Sequence, residues 1–383
     1  MFEVLFYLLV LWIIIYSIGK MKIIKNLSVE PFLAIFRTTK LNSLIDNLSF
    51  KYKHVWEGIK GISVVSSYFF MLYSIYFLTQ NLLNFFVKPE EASAIVPMIP
   101  GVTITTSTFI YIMIPLFFLM FFHELFHGIM ARIRNIKVSS SGFLLFFIIM
   151  GAFVEIDEDG IKKSDRKTRI AIFSAGSFAN MLTTIVLTIL LLNFVLVVSP
   201  FYVRTGGALV YDVSENSPAY GKIDRWDVII GVNGTIFEEF EDFSEYMRNV
   251  SPGDVLIIMT ERGNVTLIAA QNPHNSSRGY IGVATFPYFR PKPMFEWLGP
   301  ILPYHLYQIL SWSWTISFSL VIFNMLPFPL LDGGRIIDTI AESLSEKRER
   351  LGKIFSISVK STSLLLLLLN IFLTFLTIGF VPL

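Results

Sequence analysis

An uncharged run, residues 101–122, leads directly into the motif His-Glu-Leu-Phe-His at residues 123–127. The run is long enough to cross the hydrocarbon core of a bilayer as one helix. On a helix, His123 and His127 lie on one face, about a turn apart. Ionisable side chains are costly inside a membrane segment and usually mark a functional site. The sequence therefore predicts a functional site on a membrane helix.

The motif H-E-x-x-H is typical of a zinc site. Two neutral imidazoles with this spacing reach one Zn²⁺ at roughly 2.0–2.1 Å. Glu124, beside the first histidine, is placed to take a proton from water at the metal. The alternative interpretation is a helix end whose polar residues lie in headgroup water.

Composition places the chain among membrane proteins and limits the chemistry of the site. Hydrophobic residues make up 54% of the 383 residues, charged residues 16%, and the mean hydropathy is +0.62, which indicates a polytopic membrane protein. The absence of cysteine excludes disulfides, thiolate zinc ligands and thiol nucleophiles. Of the other histidines, His54 and His274 fall in charged or polar loops, so an Asp or Glu is the expected third ligand. The sequence has no basic cluster interleaved with aromatic residues that would indicate binding to nucleic acid.

Hydropathy and charge predict about six spans and one orientation. Lysine and arginine cluster between the first two spans and just after the histidine motif, which places both regions in the cytoplasm. The N-terminus is then predicted to lie outside. Residues 201–290, an insert with 7 basic and 11 acidic residues, are predicted to lie outside as well. The active site lies near the cytoplasmic side. The predicted spans are residues 4–19, 61–87, 105–130, 171–198, 303–323 and 361–383.

Two segments between the spans predict β-structure. Residues 142–150 are apolar but too short to cross a bilayer, and the following residues turn acidic. This pattern favours a membrane-associated β-hairpin, with an amphipathic interfacial strand as the alternative. Residues 206–286 alternate in polarity between turn signals such as Asn233-Gly234, with one helical segment at 240–249, which predicts an α+β domain.

A second motif, N-M-L-P-F-P-L-L-D-G-G-R at residues 324–335, places non-helical backbone at membrane depth. Such backbone is tolerated where it lines a cavity or packs on protein. Asp332 is the best candidate for the third metal ligand, although it can instead cap a following helix. The Asn324 amide can donate to a developing oxyanion or cap broken backbone. Asn180, in the fourth span, is interpreted as a polar interhelical bond rather than a catalytic group.

Three motifs together resemble the site-2 protease family of intramembrane metalloproteases: H-E-L-F-H-G at 123–128, F-S-A-G-S-x-A-N at 173–180, and N-x-L-P-x-P-x-L-D-G-G-R at 324–335. The resemblance implies one catalytic zinc held by His123, His127 and Asp332. It also implies Glu124 as general base and Asn324 as an oxyanion or substrate-positioning residue. Residues 151–154 match the family's β-element, and the insert resembles the PDZ domain that many members carry. Ser177 stands where proline is frequent, and Trp226 where glycine usually precedes the PDZ aspartate.

The predicted organisation has four segments: N-terminal spans (1–104), a protease core with the histidine motif and hairpin (105–200), a PDZ-like extracytoplasmic domain (201–290), and a C-terminal core (291–383). The predicted function is zinc-dependent hydrolysis of transmembrane substrates near the cytoplasmic membrane boundary. The partners implied are those substrates, the lipid bilayer, and a peptide or substrate ectodomain at the PDZ-like domain. The alternatives are a non-hydrolytic zinc-binding transporter or receptor, and a membrane scaffold. Glu124, which mere zinc binding does not need, favours the enzyme.

Overall fold

Five helices are long and apolar enough to cross a membrane. A computed structural model describes residues 2–98, 103–273, 275–345, 348–377 and 379, and the chain forms two units by its internal contacts. We call Met1–Thr188 with Ser311–Leu383 the membrane unit, and Ile189–Leu310 the sheet unit. His274 and the end of the predicted last span lie outside the described residues. The five helices are α3 (Lys53–Val87), α4 (Thr106–Ile133), α6 (Arg166–Leu192), α9 (Leu302–Met325) and α11 (Glu349–Thr377).

The first predicted span falls on a shorter apolar helix, α1 (Phe2–Lys20), whose described side chains begin at Leu9. The structure therefore gives five span-length helices among the described residues, and the sixth crossing stays a prediction. The fourth predicted span is divided, because α6 ends at Leu192 and a short helix, α7 (Phe194–Val198), follows it. Three further helices complete the membrane unit: α2 (Thr39–Lys51), α5 (Glu158–Lys163) and α10 (Asp332–Ser345).

The membrane unit also contains a four-stranded antiparallel sheet in the order β1-β2-β3-β4. Its second hairpin, β3 (Val138–Phe146) with β4 (Ile149–Ile156), lies where the sequence predicts a hairpin. The first hairpin, β1 (Leu27–Glu30) with β2 (Leu33–Arg37), was not predicted, because the flanking lysines mask two very short strands. Pairing of β2 with β3 joins the two hairpins into one sheet.

Both hairpin turns of this sheet carry phenylalanine in a left-handed conformation. Phe32 has a φ of 60° and Phe147 a φ of 54°, a region in which large side chains are uncommon. Their rings are 5.8 Å apart, and each is about two-fifths exposed. The Trp12 indole of α1 donates a hydrogen bond to the Phe147 carbonyl at 2.7 Å. The turn end of the sheet thus presents aromatic rings beside an apolar helix.

The sheet unit is built on antiparallel strands, and its helix α8 (Phe240–Arg248) lies close to the predicted segment 240–249. The unit also holds α7, a 3-10 helix (Pro293–Leu298) and the first residues of α9. Its main strand order is β12-β5-β6-β8-β9, with β7 on β6 and a separate β10-β11 pair. A core of fully buried aliphatic side chains, including Ile229 and Ile258, lies under the helix. The strands are β5 (Tyr202–Val213), β6 (Val228–Val232), β7 (Thr235–Ile236), β8 (Val255–Thr260), β9 (Gly263–Ile268), β10 (Ala270–Asn272), β11 (Asn275–Tyr280) and β12 (Val283–Pro291).

Trp226 occupies a turn before β6 that explains why glycine is expected there. Its φ is 76°, which costs a side-chain-bearing residue about 1–2 kcal/mol. The turn is held by the Trp226 N–H, which donates to the Val210 carbonyl at 2.7 Å. The guanidinium of Arg225 lies 4.5 Å from the centre of the indole ring. Trp226 thus adopts the left-handed conformation that a glycine would adopt without this cost.

Candidate active site

The histidine motif lies on α4, which carries Pro115 within it and ends at Ile133. His123 and His127 are 8% and 7% exposed, so both imidazoles are buried although each is a polar group. Their Nε2 atoms face one another at 3.1 Å. Two buried imidazoles at this distance need a shared proton or a shared cation between them.

Asp332, the first residue of α10, brings a carboxylate to the same point. Its Oδ2 lies 3.3 Å from Nε2 of His123 and 3.2 Å from Nε2 of His127. Ligands bound tetrahedrally at roughly 2.0–2.1 Å lie about 3.3 Å from each other. The three ligand atoms therefore have the separations that one zinc ion requires. Asp332 Oδ2 is buried and has no hydrogen-bond donor other than these imidazoles among the described residues.

The charge of Asp332 suits this role. Burial alone would raise the pKa of its carboxyl, but the adjacent imidazoles of His127 and His123 hold that pKa well below its usual range. A metal ligand needs the ionised form of this carboxyl. Asp332 is the first residue of α10, and its Oδ2 faces the two imidazoles.

The opposite ring nitrogen of each histidine is held by α6. Nδ1 of His127 donates to the Ile172 carbonyl at 2.6 Å, which leaves Nε2 free to bind a metal. The side-chain amide of Asn180 lies 3.1 Å from Nδ1 of His123. The nearer amide atom is the nitrogen, which donates to Nδ1 as the side chain stands. With a metal on Nε2 the proton would lie on Nδ1, and the amide would have to present its oxygen instead. Asn180 is thus an interhelical bond, as the sequence indicates, and its partner is a ligand candidate.

Gly176 makes room for the two imidazoles. A Cβ atom at this position of α6 would lie 2.3 Å from Nε2 of His127 and 2.5 Å from Nε2 of His123. Only a hydrogen atom fits there. Gly176 belongs to the F-S-A-G-S-x-A-N motif, whose small residues are expected to permit close helix contact, and the structure shows such a contact with the two imidazoles.

Two more glycines position Asp332. Cβ atoms would lie 2.2 Å from the Met325 carbonyl oxygen at Gly333, and 1.9 Å from the Phe328 carbonyl oxygen at Gly334. The non-helical segment after α9 can therefore fold closely over the start of α10. This packing brings a residue some two hundred positions away from the histidines to their side.

A cavity of about 620 Å³ joins these groups. Glu124 lines it, half-buried, and its Oε2 accepts a hydrogen bond from the Val154 N–H of β4 at 3.2 Å. Asn324, near the end of α9, lines the same cavity, as do β4 residues and Arg335 of α10. The proposed ligands, base and amide donor therefore share one space, which has room for an extended peptide.

Comparison with known proteins shows to which family this chain belongs. The family model for peptidase family M50 matches residues 111–369, which is more than half of the chain and includes both motifs. The chain belongs to peptidase family M50. This is the site-2 protease family, so the resemblance drawn from the motifs is confirmed. M50 members are membrane metalloproteases, in agreement with the apolar helices and with a His, His, Asp group that can hold a metal ion.

The matches to individual relatives cover different shares of this chain. An uncharacterized protein of Methanocaldococcus jannaschii is 31% identical over 89% of this chain and 86% of its own length. A membrane-bound transcription factor site-2 protease homolog of Arabidopsis thaliana is 24% identical over 59% of this chain. That match spans 43% of the plant protein.

Solved structures are similar over about a fifth of the chain. The PDZ domain of an SdrC-like protein from Listeria innocua is 23% identical, with a TM-score of 0.19, over 21% of this chain and 92% of that domain. Its counterpart from Listeria monocytogenes is 20% identical, with a TM-score of 0.20, over 22% of this chain and 90% of that domain.

Proposed function

We propose that this M50 protein is an intramembrane zinc endopeptidase that hydrolyses peptide bonds of transmembrane proteins near the cytoplasmic membrane boundary. The observation that carries the proposal is the convergence of three buried ligand atoms within 3.3 Å of one another, in a cavity that Glu124 and Asn324 also line. Zinc binding alone would need only the three ligands, whereas hydrolysis needs a base beside them.

His123, His127 and Asp332 would hold the zinc, as the fit of their separations supports. When bound there, zinc supplies a Lewis acid that polarises the scissile carbonyl and lowers the pKa of water towards ~7. His127 is kept in the metal-binding tautomer by the Ile172 carbonyl, and Asn180 holds the ring of His123 in place at Nδ1.

Glu124 acts as the general base. Its carboxylate takes a proton from the attacking water, whose oxygen bonds to the scissile carbonyl carbon. As the carbon–nitrogen bond breaks, the same carboxyl returns the proton to the leaving amine. The Val154 N–H fixes the position of the carboxylate through one oxygen and leaves the other for the proton. Asn324 donates its amide hydrogen to the carbonyl oxygen as negative charge develops there.

The substrate must unwind before cleavage, because a helix hides its carbonyls in its own hydrogen bonds. We propose that β4 receives the unwound segment as an added strand. Support comes from its place at the edge of the four-stranded sheet and along the cavity wall. The aromatic turns at Phe32 and Phe147 support the further proposal that this sheet dips into the bilayer.

The sheet unit is proposed to be a PDZ-like domain outside the cytoplasm that excludes bulky ectodomains or binds a newly cut end. Its candidate peptide site is between β5 and α8. The orientation rests on lysine and arginine asymmetry. An impermeant thiol reagent should label Asn275→Cys from outside and Arg350→Cys only after permeabilisation, and the cysteine-free chain gives no background. Reversed labelling would invert the orientation.

Glu124→Gln tests the function directly. The purified, zinc-loaded protein should cleave a single-span substrate, and the variant should keep its zinc while losing about 10²–10⁴-fold in rate. It should also retain substrates, which mass spectrometry can identify. Unchanged turnover in Glu124→Gln would remove this residue from the mechanism. A wild-type protein with stoichiometric zinc and no hydrolysis of any single-span protein would favour the transporter or receptor instead.

A further inference from the structure

Arg335 lines the catalytic cavity, although the proposed chemistry makes no use of it. It lies one turn beyond Asp332 on α10, and its side chain is exposed. Its guanidinium carbon is 5.5 Å from the ring centre of Phe173, a buried residue of α6. Arg335 and Phe173 also line a second, smaller cavity of about 230 Å³. The guanidinium therefore stands on an aromatic ring where two cavities adjoin.

The hydrogen-bond donors of Arg335 are free. Within the described residues its guanidinium forms no ion pair and no hydrogen bond. Its acidic neighbours on α10 have other partners: Asp332 faces the two imidazoles, Asp338 pairs with Lys360, and Glu342 pairs with Arg169. Five N–H donors in a fixed plane thus face the cavity without an acceptor.

The charge of the cavity decides which acceptor fits. Besides Asp332, four carboxylates line the same space, those of Glu124, Glu155, Asp157 and Glu158. They would repel an acidic side chain of the substrate. A locally unwound substrate, in contrast, brings neutral main-chain carbonyls that have lost their helical hydrogen bonds. Carbonyls without a partner are costly away from bulk water.

We infer that Arg335 binds the main-chain carbonyl oxygens of the unwound substrate segment. This inference rests on the proposed function and adds a substrate-binding residue to it. Successive carbonyls of an extended chain point to opposite sides, so the guanidinium donates to one carbonyl oxygen on its own side and thereby stabilises the extended form of the chain beside the scissile bond. Phe173 holds the guanidinium plane in place from below.

The test uses the full-length, zinc-loaded protein and a leucine-rich transmembrane peptide with a central Gly-Pro pair. Arg335→Gln should weaken peptide binding and raise KM by about tenfold to a hundredfold, with a smaller change in kcat. The KM of Arg335→Lys should lie between that of the wild type and that of Arg335→Gln, because the lysine ammonium keeps the charge but lacks the planar guanidinium. Arg350→Gln is the matched control, an exposed arginine of α11 that does not line the cavity. Zinc content should be equal in all variants.

Ester substitution separates a carbonyl contact from a structural effect. One amide at a time in the peptide is replaced by an ester, whose carbonyl accepts hydrogen bonds more weakly. At the contacted position the ester should weaken binding to the wild type and have no further effect in Arg335→Gln. The inference is overturned if no ester position behaves in this way, if Arg335→Gln binds the peptide like Arg350→Gln, or if Arg335→Gln weakens only peptides with a glutamate near the Gly-Pro pair. Binding is read by fluorescence anisotropy without turnover, so a failure to cleave would refute only the proposed function.

Discussion

The two units of this protein are built with opposite interiors. In the membrane unit, buried positions include many polar residues, among them Ser67, Ser74, Asn81, Asn180, Ser317, Asn370 and Thr374, while large apolar side chains such as Leu72 and Phe372 are exposed. In the sheet unit the fully buried positions are aliphatic, and Asp227 and Thr260 are its only described buried polar residues. The difference shows which solvent each unit meets.

The comparison also explains where chemistry can be placed. In water, burial of apolar area drives folding, and the sheet unit uses its interior for that purpose. In lipid the surroundings are as apolar as leucine, so helices associate through small residues and hydrogen bonds. Polar groups are therefore already part of the interior of the membrane unit. A buried site of two imidazoles and a carboxylate is therefore of the same polar kind as the rest of that interior.

The largest effect is expected at the close approach of α6 to the histidines. Gly176→Ala places a methyl group where the Nε2 atoms lie, so zinc affinity should fall by at least about 100-fold. The measurement is zinc content after dialysis against a weak chelator. Ser177→Ala is the matched control, since this neighbouring buried hydroxyl has no partner among the described residues. Equal zinc content in the two variants would mean that α6 is not in contact with the site.

A core substitution in the sheet unit should be costly and leave the zinc site intact. Ile258 is fully buried, and Ile258→Ala should lower the free energy of unfolding of that unit by about 2–5 kcal/mol. Ile257, its neighbour on the opposite face of β8, is 43% exposed, so Ile257→Ala should cost about 0.5 kcal/mol or less. Hydrogen exchange of the sheet amides measures both. Loss of zinc in Ile258→Ala would show that the units depend on each other.

In the membrane unit, replacing a buried polar residue by an apolar one should lower stability. Asn370 donates to the Leu78 carbonyl at 3.0 Å and accepts from Asn81 at 2.9 Å. Asn370→Leu makes α11 more apolar and should still lower stability, by about 1–2 kcal/mol. Leu368, which is 53% exposed on the same helix, should tolerate alanine. Thermal unfolding in detergent compares the two variants. A stabilised Asn370→Leu would mean that apolar packing holds this unit too.

Removal of residues 206–286, replaced by a short flexible linker, should have the smallest effect on chemistry. None of the proposed ligands, base or amide donors lies in that segment. Hydrolysis of a short substrate without an ectodomain should stay close to that of the wild type, while discrimination against bulky ectodomains should relax. Abolished cleavage of every substrate, with zinc retained, would make the segment an activator and not a filter.

The structure brings together the residues that the sequence singles out for the site, whereas the contacts that position them were harder to predict. Ligand types and a four-residue spacing carry chemical meaning by themselves, so His123 and His127 stood out. Gly176 was expected only to permit close helix contact, because the sequence does not show that the groups it approaches are the two distant imidazoles. Asn180 was read as an interhelical bond, since nothing local identifies the group it contacts. The strands β1 and β2 were missed because four or five residues carry little periodicity.

The distance along the chain between His127 and Asp332 has a consequence for biosynthesis. The ribosome completes the histidine helix long before it reaches the glycine-flanked aspartate, by about 10–40 s at a rate of ~5–20 residues per second. During that interval the nascent chain lies in the membrane with two imidazoles and no third ligand. With Asp332 as the proposed third ligand, a metalloprotease assembled in this order completes its ligand set only when α9 and α10 have been made.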